Sequence, residues 1–561
     1  MKGFIPILSL VGFILHPLSL WAQIGPAEPT SFYIARVKDI NPVYSTSGPS
    51  WLTDLNGVLY FTAENGVNGR ELWKSDGTEA GTVQVKNINL NGSSSPQSLI
   101  NYSGTLFFSA DDGSVGRELW KSNGTAAGTE LVKDINPSGS SDLSIPVLMN
   151  NVLYFFADNG TNGRELWRSN GTSAGTYLVK DINPAGDCVS SPLVSPTIMN
   201  GVLYFAAQDA SGPGVWRSDG TAAGTYQIHS LSALTIAGVI QAVPPQHLTV
   251  VGGLLYFFYQ YIDSADKFRN RLYKTNGSPG SATHVQTLPG GVHETIPFMN
   301  KLFFVMESGN SDELWFSDGT SLGTQRLKNT NPFGDDRVFQ LTTVGNTLFF
   351  SGQNAPNTFC LWKTDGTTAN TVVVKEIYAS GLDAVNGKLF FKGPGSPGMG
   401  GPEPWISDGT TQGTHLLKDL NPYGPSVGTT PFVASGNRVF FAALESDHGV
   451  ELYKYVPCTY CPVGSREAAD LALEVSDDLQ LQVQQNPIIG KTLTVDISGG
   501  NGQPLQLSLV TIQGRVLETR SLSGQPGKQR QVMEVGHLPA GLLLLRASTT
   551  DQQKVIRLWK P

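Results

Sequence analysis

The chain carries "FYIARVKDINP" at Phe32–Pro42, and close copies return as "TELVKDINP" (Thr129–Pro137), "TYLVKDINP" (Thr176–Pro184) and "THLLKDLNP" (Thr414–Pro422). Each downstream copy follows a longer block such as "GRELWKSNGTAAGT", whereas nothing of that block precedes Phe32. The far end shows the complement. "FVASGNRVFFAALESDHGVELYKY" (Phe432–Tyr455) holds the early part of the block but lacks its turn and the string that should follow. One spare piece matches one missing piece. A ring in which the leading strand completes the last unit removes a sheet edge that would otherwise template aggregation, whereas an open solenoid would need polar caps.

The repeat is defined by an aromatic in "ELW" or its variants: Trp73, Trp120, Trp167, Trp216, Tyr273, Trp315, Trp362, Trp405 and Tyr453, spaced 47, 47, 49, 57, 42, 47, 43 and 48 residues apart. A period in the forties is that of propeller blades. One unit reads as four strands: "QSLINYSG", "TLFFSAD", "RELWKS" and "ELVKDI", separated by Gly turns and stopped by Asn136-Pro137, since Pro cannot donate to a ladder. The second strands ("VLYFTA", "TLFFSA", "VLYFFA", "RVFFAA") are nearly unbroken apolar runs, which predicts cover on both faces. The expected fold class is all-β, a β-propeller over residues 32–456. Nine four-stranded blades are predicted, eight if the divergent fifth unit is degenerate.

Composition agrees. Gly and Pro number 63 and 34 of 561 residues and charged residues are 15%, the mix of many short strands and tight turns. The net charge of −8, with no Lys/Arg stripe, excludes a nucleic-acid partner. Residues 1–22 read as an export signal, with Lys2 ahead of an apolar run and cleavage between Ala22 and Gln23. No other segment approaches a membrane span, so an integral membrane protein is not expected. Cys188 and Cys360 fall in distant repeats and are expected to be unpaired. Cys458 and Cys461, in the linker 457–478, are read as a local disulfide or as having no role.

The strings "ELWKSDGTEAGT", "ELWKSNGTAAGT", "ELWRSNGTSAGT" and "ELWFSDGTSLGT" resemble the bacterial ELWxxDGT repeat family, which implies a secreted, propeller-like protein without implying an activity. The tail, residues 479–561, resembles a C-terminal sorting domain of the type IX secretion route of Bacteroidetes. The resemblance is carried by Asn486-Pro487, Gly514-Arg515, Leu538-Pro539-Ala540-Gly541 and the closing Arg557 and Lys560. It implies a small β-sandwich, the secretion machinery as partner, and release or attachment at the cell surface by way of the periplasm. Leu542 and Leu543 stand where that family usually has an aromatic.

Chemistry is sparse. Asp76, Asp219, Asp318, Asp365 and Asp408 of the "DGTxxGT" turns could ligate calcium, but Asn123, Asn170 and Asn276 take the same place, which an Asx turn tolerates and a charge-dependent cation site would resist. No cofactor is expected beyond a weak calcium site. The repeated Trp is read as packing between blades rather than as a sugar platform. The Arg and Glu of "GRELW" (Arg70 and Glu71, Arg117 and Glu118, Arg164 and Glu165) are read as a solvated face or local ion pairs, lost in later units. Loops between units carry Asp134 and Asn136, Asp181 and Asn183, and Asp419 and Asn421, candidates for a polar ligand on one rim. No nucleophile elbow, zinc motif, phosphate loop or carboxylate pair is present, so no catalytic residue is nominated. The expectation is a non-enzymatic binding or adhesion module for a surface glycan or protein. The alternatives are a polysaccharide hydrolase or lyase with its site in the channel, and a structural surface component.

Overall fold

The computed structural model describes residues 31–42, 46–189, 196–230, 244–262, 267–309, 311–395, 401–422, 424–428, 430–445 and 448–458. In the tail it describes 480–483, 491–498, 504–511, 516–522, 529–536, 538, 541–549 and 553–560. The signal segment with Ala22 and Gln23, the linker with Cys461, and Asn486, Pro487, Gly514, Arg515, Pro539 and Ala540 lie outside these.

Nine four-stranded antiparallel sheets make the propeller. Blade 1, for example, is Ser50–Leu55, Val58–Glu64, Arg70–Ser75 and Val83–Lys86, paired in sequence order from axis to rim. Blade 9 breaks the order. Its inner three strands are Val433–Ser435, Arg438–Glu445 and Gly449–Cys458, and its outer strand is Ser31–Lys38, paired so that Arg36 lies opposite Tyr453 and Ile34 opposite Tyr455. The innermost strands of blades 9 and 1 are also in contact, so the ring closes.

Second strands carry the core. Leu59 to Ala63, Leu106 to Ala110 and Leu153 to Ala157 are buried without interruption, because each sheet stacks on a neighbour at both faces. All nine anchors stand on third strands, each directly opposite a phenylalanine of the second: Phe61 with Trp73, Phe108 with Trp120, Phe155 with Trp167, Phe205 with Trp216, Phe257 with Tyr273, Phe304 with Trp315, Phe350 with Trp362, Phe391 with Trp405 and Phe441 with Tyr453. These rings fill the space between blades. Trp120 and Trp167 are each 6% exposed. At the closure, Phe440 and Leu452 of blade 9 share one apolar cluster with Val37 and Ile40 of the leading segment and with Leu59, Phe61 and Trp73 of blade 1. Truncating one such side chain typically costs about 2–5 kcal/mol, several times what a surface ion pair gives, so packing sets the architecture.

The tail forms two further sheets. Gln480–Val483, Thr492–Ser498 and Gln529–Glu534 make one. Leu505–Thr511, Val516–Leu522, Gly541–Ser548 and Gln553–Lys560 make the other. Leu493, Val495 and Met533 of the first and Leu507, Leu509 and Leu545 of the second lie in a single apolar cluster. Leu538 is buried against it, and the Lys560 ammonium donates to the carbonyls of Val535, Gly536 and Leu538.

Candidate functional site

An antiparallel meander puts the turn between strands two and three at the same end as the loop to the next blade. The "DGTxxGT" turn and the turn between strands one and two lie at the opposite end. The propeller thus has a loop face and a turn face.

On the turn face blades 1 to 8 share one turn, which blade 9 lacks because its outer strand comes from the leading segment. Asp76 Oδ1 accepts the Thr78 N–H (2.8 Å) and hydroxyl (2.7 Å), Thr78 Oγ1 accepts the Gly81 N–H, and the Ser75 and Thr82 hydroxyls bond at 2.7 Å. Asn123 and Asn170 do the same with Thr125 and Thr172, at 2.7 Å from each hydroxyl. The Thr hydrogen bonds lower the carboxyls of Asp219 and Asp318 below the ordinary range and do so at Asp408 against its partial burial, while at Asp365 the Asn370 amide lowers it first and Thr367 second. The motif is an Asx turn. Its Gly has a second reason: Gly124 sits at φ 85°, and a side chain there would strike the Tyr60 hydroxyl of the preceding blade. Lysines of outer strands reach across to these turns, Lys86 Nζ donating to Thr129 O (2.7 Å) and Lys133 Nζ to Thr176 O (2.8 Å). Lys38 donates to Thr82 O (3.0 Å) across the seam. Among the described residues no three His, Cys, Asp or Glu side chains are grouped to hold a metal ion.

On the loop face the Glu of "GRELW" is corrected from a solvated residue to a buried clasp. Glu71, Glu118, Glu165, Glu403 and Glu451 are fully buried. Each grips the loop that leads to the next blade. Glu71 accepts the N–H groups of Ile88 (2.9 Å) and Ser94 (3.0 Å) and the Ser94 hydroxyl. Glu118 takes Ile135 N–H (2.8 Å), Glu165 takes Ile182 N–H (2.6 Å), and Glu403 takes Leu420 N–H (2.9 Å). Among later units Gly214, Arg271 and Cys360 replace it in blades 4, 5 and 7, while Glu403 and Glu451 keep it in blades 8 and 9. Burial outweighs these hydrogen bonds and raises all five carboxyls, Glu118 and Glu165 to about 7. The arginines serve the loop before them: Arg70 donates to Gly48 O (2.7 Å) and Arg117 to Ser95 O (2.9 Å). The fixed distance from each Glu to an Ile or Leu 17 residues on was the signal in the sequence.

The rim candidates are used inside these same loops. The Asn136 amide donates to Ser140 O (2.9 Å), Asn183 to Asp187 O (2.9 Å) and Asn421 to Pro425 O (3.2 Å), closing each loop on itself. Asp181 accepts from Asn162 at 2.7 Å. Asp134 is adjacent to the clasped Ile135, as Asp419 is to Leu420. Carboxylates of inner strands also join blades. Asp54 accepts from Ser435 Oγ (2.6 Å), Glu294 from Leu341 N–H (2.8 Å) and Asp383 from Phe432 N–H (2.9 Å).

Among the described residues, the connecting loop is shortest at two places on the loop face. Between blades 5 and 6 the loop shrinks to residues 289–291, and between blades 7 and 8 to residues 376–379. The clasp residue changes with it. Arg271 takes its place in blade 5, where the neighbouring Asn270 donates to Gly290 O (3.1 Å), and blade 7 has the buried Cys360, whose thiol burial pushes up to about 11. With less loop above them, polar and aromatic groups reach the surface. His293 Nε2 lies 3.6 Å from Glu307 Oε2 and 3.6 Å from Asp312 Oδ1, two carboxylates directly opposite on one hairpin. In blade 7, Phe339, Phe359 and Tyr378 form a triad with ring centres 6.2, 5.8 and 5.1 Å apart, Tyr378 being half exposed. The Val338 N–H donates to Asp312 O (2.9 Å), so one loop connects the two groups. Nothing in the repeat pattern marked either.

No family model matches the chain, and no curated protein matches it in sequence. Solved structures with similar folds include the β-propeller domain of the Trilobed protease from Pyrococcus furiosus, at 10% identity over 66% of this chain and 99% of that one, with a TM-score of 0.33. Porphyromonas gingivalis dipeptidyl peptidase 4 is similar at 10% identity over 81% of this chain and 65% of that one, with a TM-score of 0.39. A prolyl endopeptidase is similar at 8% identity and a TM-score of 0.37 over 82% of this chain; the chain spans 55% of that enzyme's length.

Proposed function

We propose that this chain is an exported propeller acting at or beyond the cell surface as a binding or adhesion module, its ligand met by the loop face of blades 5 to 7. The observation that carries this reading is the shortening of two connecting loops on that face. Where the loops shorten and the clasp Glu is replaced, a His–carboxylate group and an aromatic triad become accessible side by side. Function concentrates on such departures because a rigid scaffold holds them in place. Export by residues 1–22, membership of the ELWxxDGT repeat proteins and delivery through a type IX-like route by residues 479–561 belong to the same proposal, supported by the sequence landmarks.

The hydrolase alternative is less favoured, because Asp54, Glu294 and Asp383 of the inner strands hold neighbouring blades together. The test is the purified full chain on arrays of glycans and extracellular proteins, with product release assayed on any polysaccharide bound. Binding without product release supports the module, release of oligosaccharide supports the hydrolase, and absence of any ligand leaves the structural component. Cell fractionation with N-terminal sequencing of the mature protein tests export, which fails if the protein stays in the cytoplasm with residue 1 intact.

A further inference from the structure

We infer that the aromatic corner of blade 7 is a subsite for one ring of a neutral saccharide, stacked on Tyr378 and Phe359 and hydrogen-bonded by the Gln353 amide. This rests on the binding role proposed above and gives it a place and a ligand class.

Register puts the groups together. Phe359 lies opposite Gln353, and Phe339 opposite Ser351, so these four side chains share one face of blade 7. The loop with Tyr378 crosses that face, since the Ser351 hydroxyl donates to Ala379 O at 2.5 Å. Gln353 is 3% exposed, yet its Nε2 meets no acceptor in the protein. Its own N–H is bonded to Asp336 O (2.6 Å), which fixes the backbone beneath it. Gln340 Oε1, beside Phe339, is unpartnered as well. Buried polar atoms are normally satisfied, so an amide donor and an amide acceptor left over beside these rings describe what a ligand brings.

That ligand has an apolar face for the rings and both donates and accepts hydrogen bonds. A pyranose does this with its C–H face and its hydroxyls. A proline-rich peptide also stacks on aromatics, but proline carries no N–H and would leave the acceptor unmet. Both orphan atoms belong to neutral amides, which favours an uncharged sugar over a uronate.

Affinity electrophoresis of the full chain through native gels containing galactomannan, mixed-linkage β-glucan, xylan or alginate tests this, with a polyproline peptide titrated separately. The expected result is retardation by at least one of the three neutral polysaccharides. Tyr378→Ala should weaken it at least tenfold and Gln353→Leu at least fivefold, both with the parent melting temperature, and Tyr177→Ala should leave it unchanged. Retardation indifferent to both variants overturns the subsite while leaving the binding module standing. Retardation by alginate alone, or binding of the peptide alone, overturns the ligand class. Ligands found only on the protein array, with no polysaccharide retarding the chain, overturn the subsite and keep the module; no ligand in any format overturns both.

Discussion

The Glu451 carboxylate accepts the Ile40 N–H at 3.1 Å across 411 residues of sequence, and it takes the Ser47 N–H (2.9 Å) and hydroxyl (2.6 Å) as well. Glu71 makes the same set of bonds to the loop that follows it in its own chain segment. The leading segment is therefore held as any other loop of the ring is. Residues 39–49 are the loop from blade 9 to blade 1, and the termini of the array meet through the repeat's own clasp.

Replacing that carboxylate should open the seam. Glu451→Ala leaves the buried Ile40 N–H without an acceptor and the Ser47 N–H with the Val450 carbonyl alone, a loss of about 1–3 kcal/mol. Thermal denaturation should show a lowered Tm, comparable with Glu71→Ala, while Glu79→Ala on an exposed turn should be silent. A silent Glu451→Ala would mean the seam contributes nothing.

The raised carboxyls give a pH dependence of definite sign. A group whose folded pKa exceeds its unfolded value binds its proton more tightly when folded, so its stability is fully present below the unfolded value of 4.5 and declines as pH rises through the folded value, about 7 for Glu118 and Glu165. The Asx-turn aspartates, held below 3.8, act only under about pH 4 and in the opposite sense. The propeller's Tm should therefore fall between pH 5 and pH 7.5. In Glu118→Gln/Glu165→Gln it should be lower at pH 5 and vary less across that range. A Tm that rises toward pH 7.5 would contradict the burial argument.

The turn face should be indifferent to charge and to calcium. Asp318→Asn preserves both acceptor contacts to Thr320, now 2.8 and 2.7 Å, and should leave Tm within a degree. Asp318→Ala loses them and should cost about 1 kcal/mol. Millimolar calcium and EGTA should give superimposable melts; a calcium-dependent rise in Tm that Asp318→Asn reduces would restore the metal reading.

The lysines that join outer strands to the next turn should matter despite their charge. Lys86→Met removes a donor to Thr129 O, and Lys38→Met the equivalent one to Thr82 O across the seam. Each should lower stability by about 1–2 kcal/mol with little change between 50 and 500 mM salt, because the acceptor is a neutral carbonyl.

Cys188 and Cys360 are buried, unpaired and raised in pKa, so both thiols should resist iodoacetamide in the native protein and react in guanidinium. Peptide mass spectrometry reads this directly. Native labelling of either would place it at the surface.

What the residues announced was periodic. The spacing of the aromatic anchors, the unbroken apolar second strands and the displaced outer strand at Phe32 are patterns along the chain, and they pointed to the closure of the ring and to nine blades or eight, the divergent fifth unit being decided only by its folded four-stranded sheet. Local turn chemistry was equally readable, since Asn substituting for Asp in the same turn excludes a dependence on charge. The role of Glu71 and its equivalents was marked only by the fixed spacing to an Ile or Leu 17 residues on, because a charged residue beside Arg looks solvated until the loop it grips is folded over it, and its partners are backbone groups that carry no letter in the sequence. For the same reason the exposed corner at Phe359 and Tyr378 emerged only in three dimensions. Burial depends on whether a loop from the neighbouring blade covers a residue, a long-range contact that the residue's own neighbours in sequence do not encode.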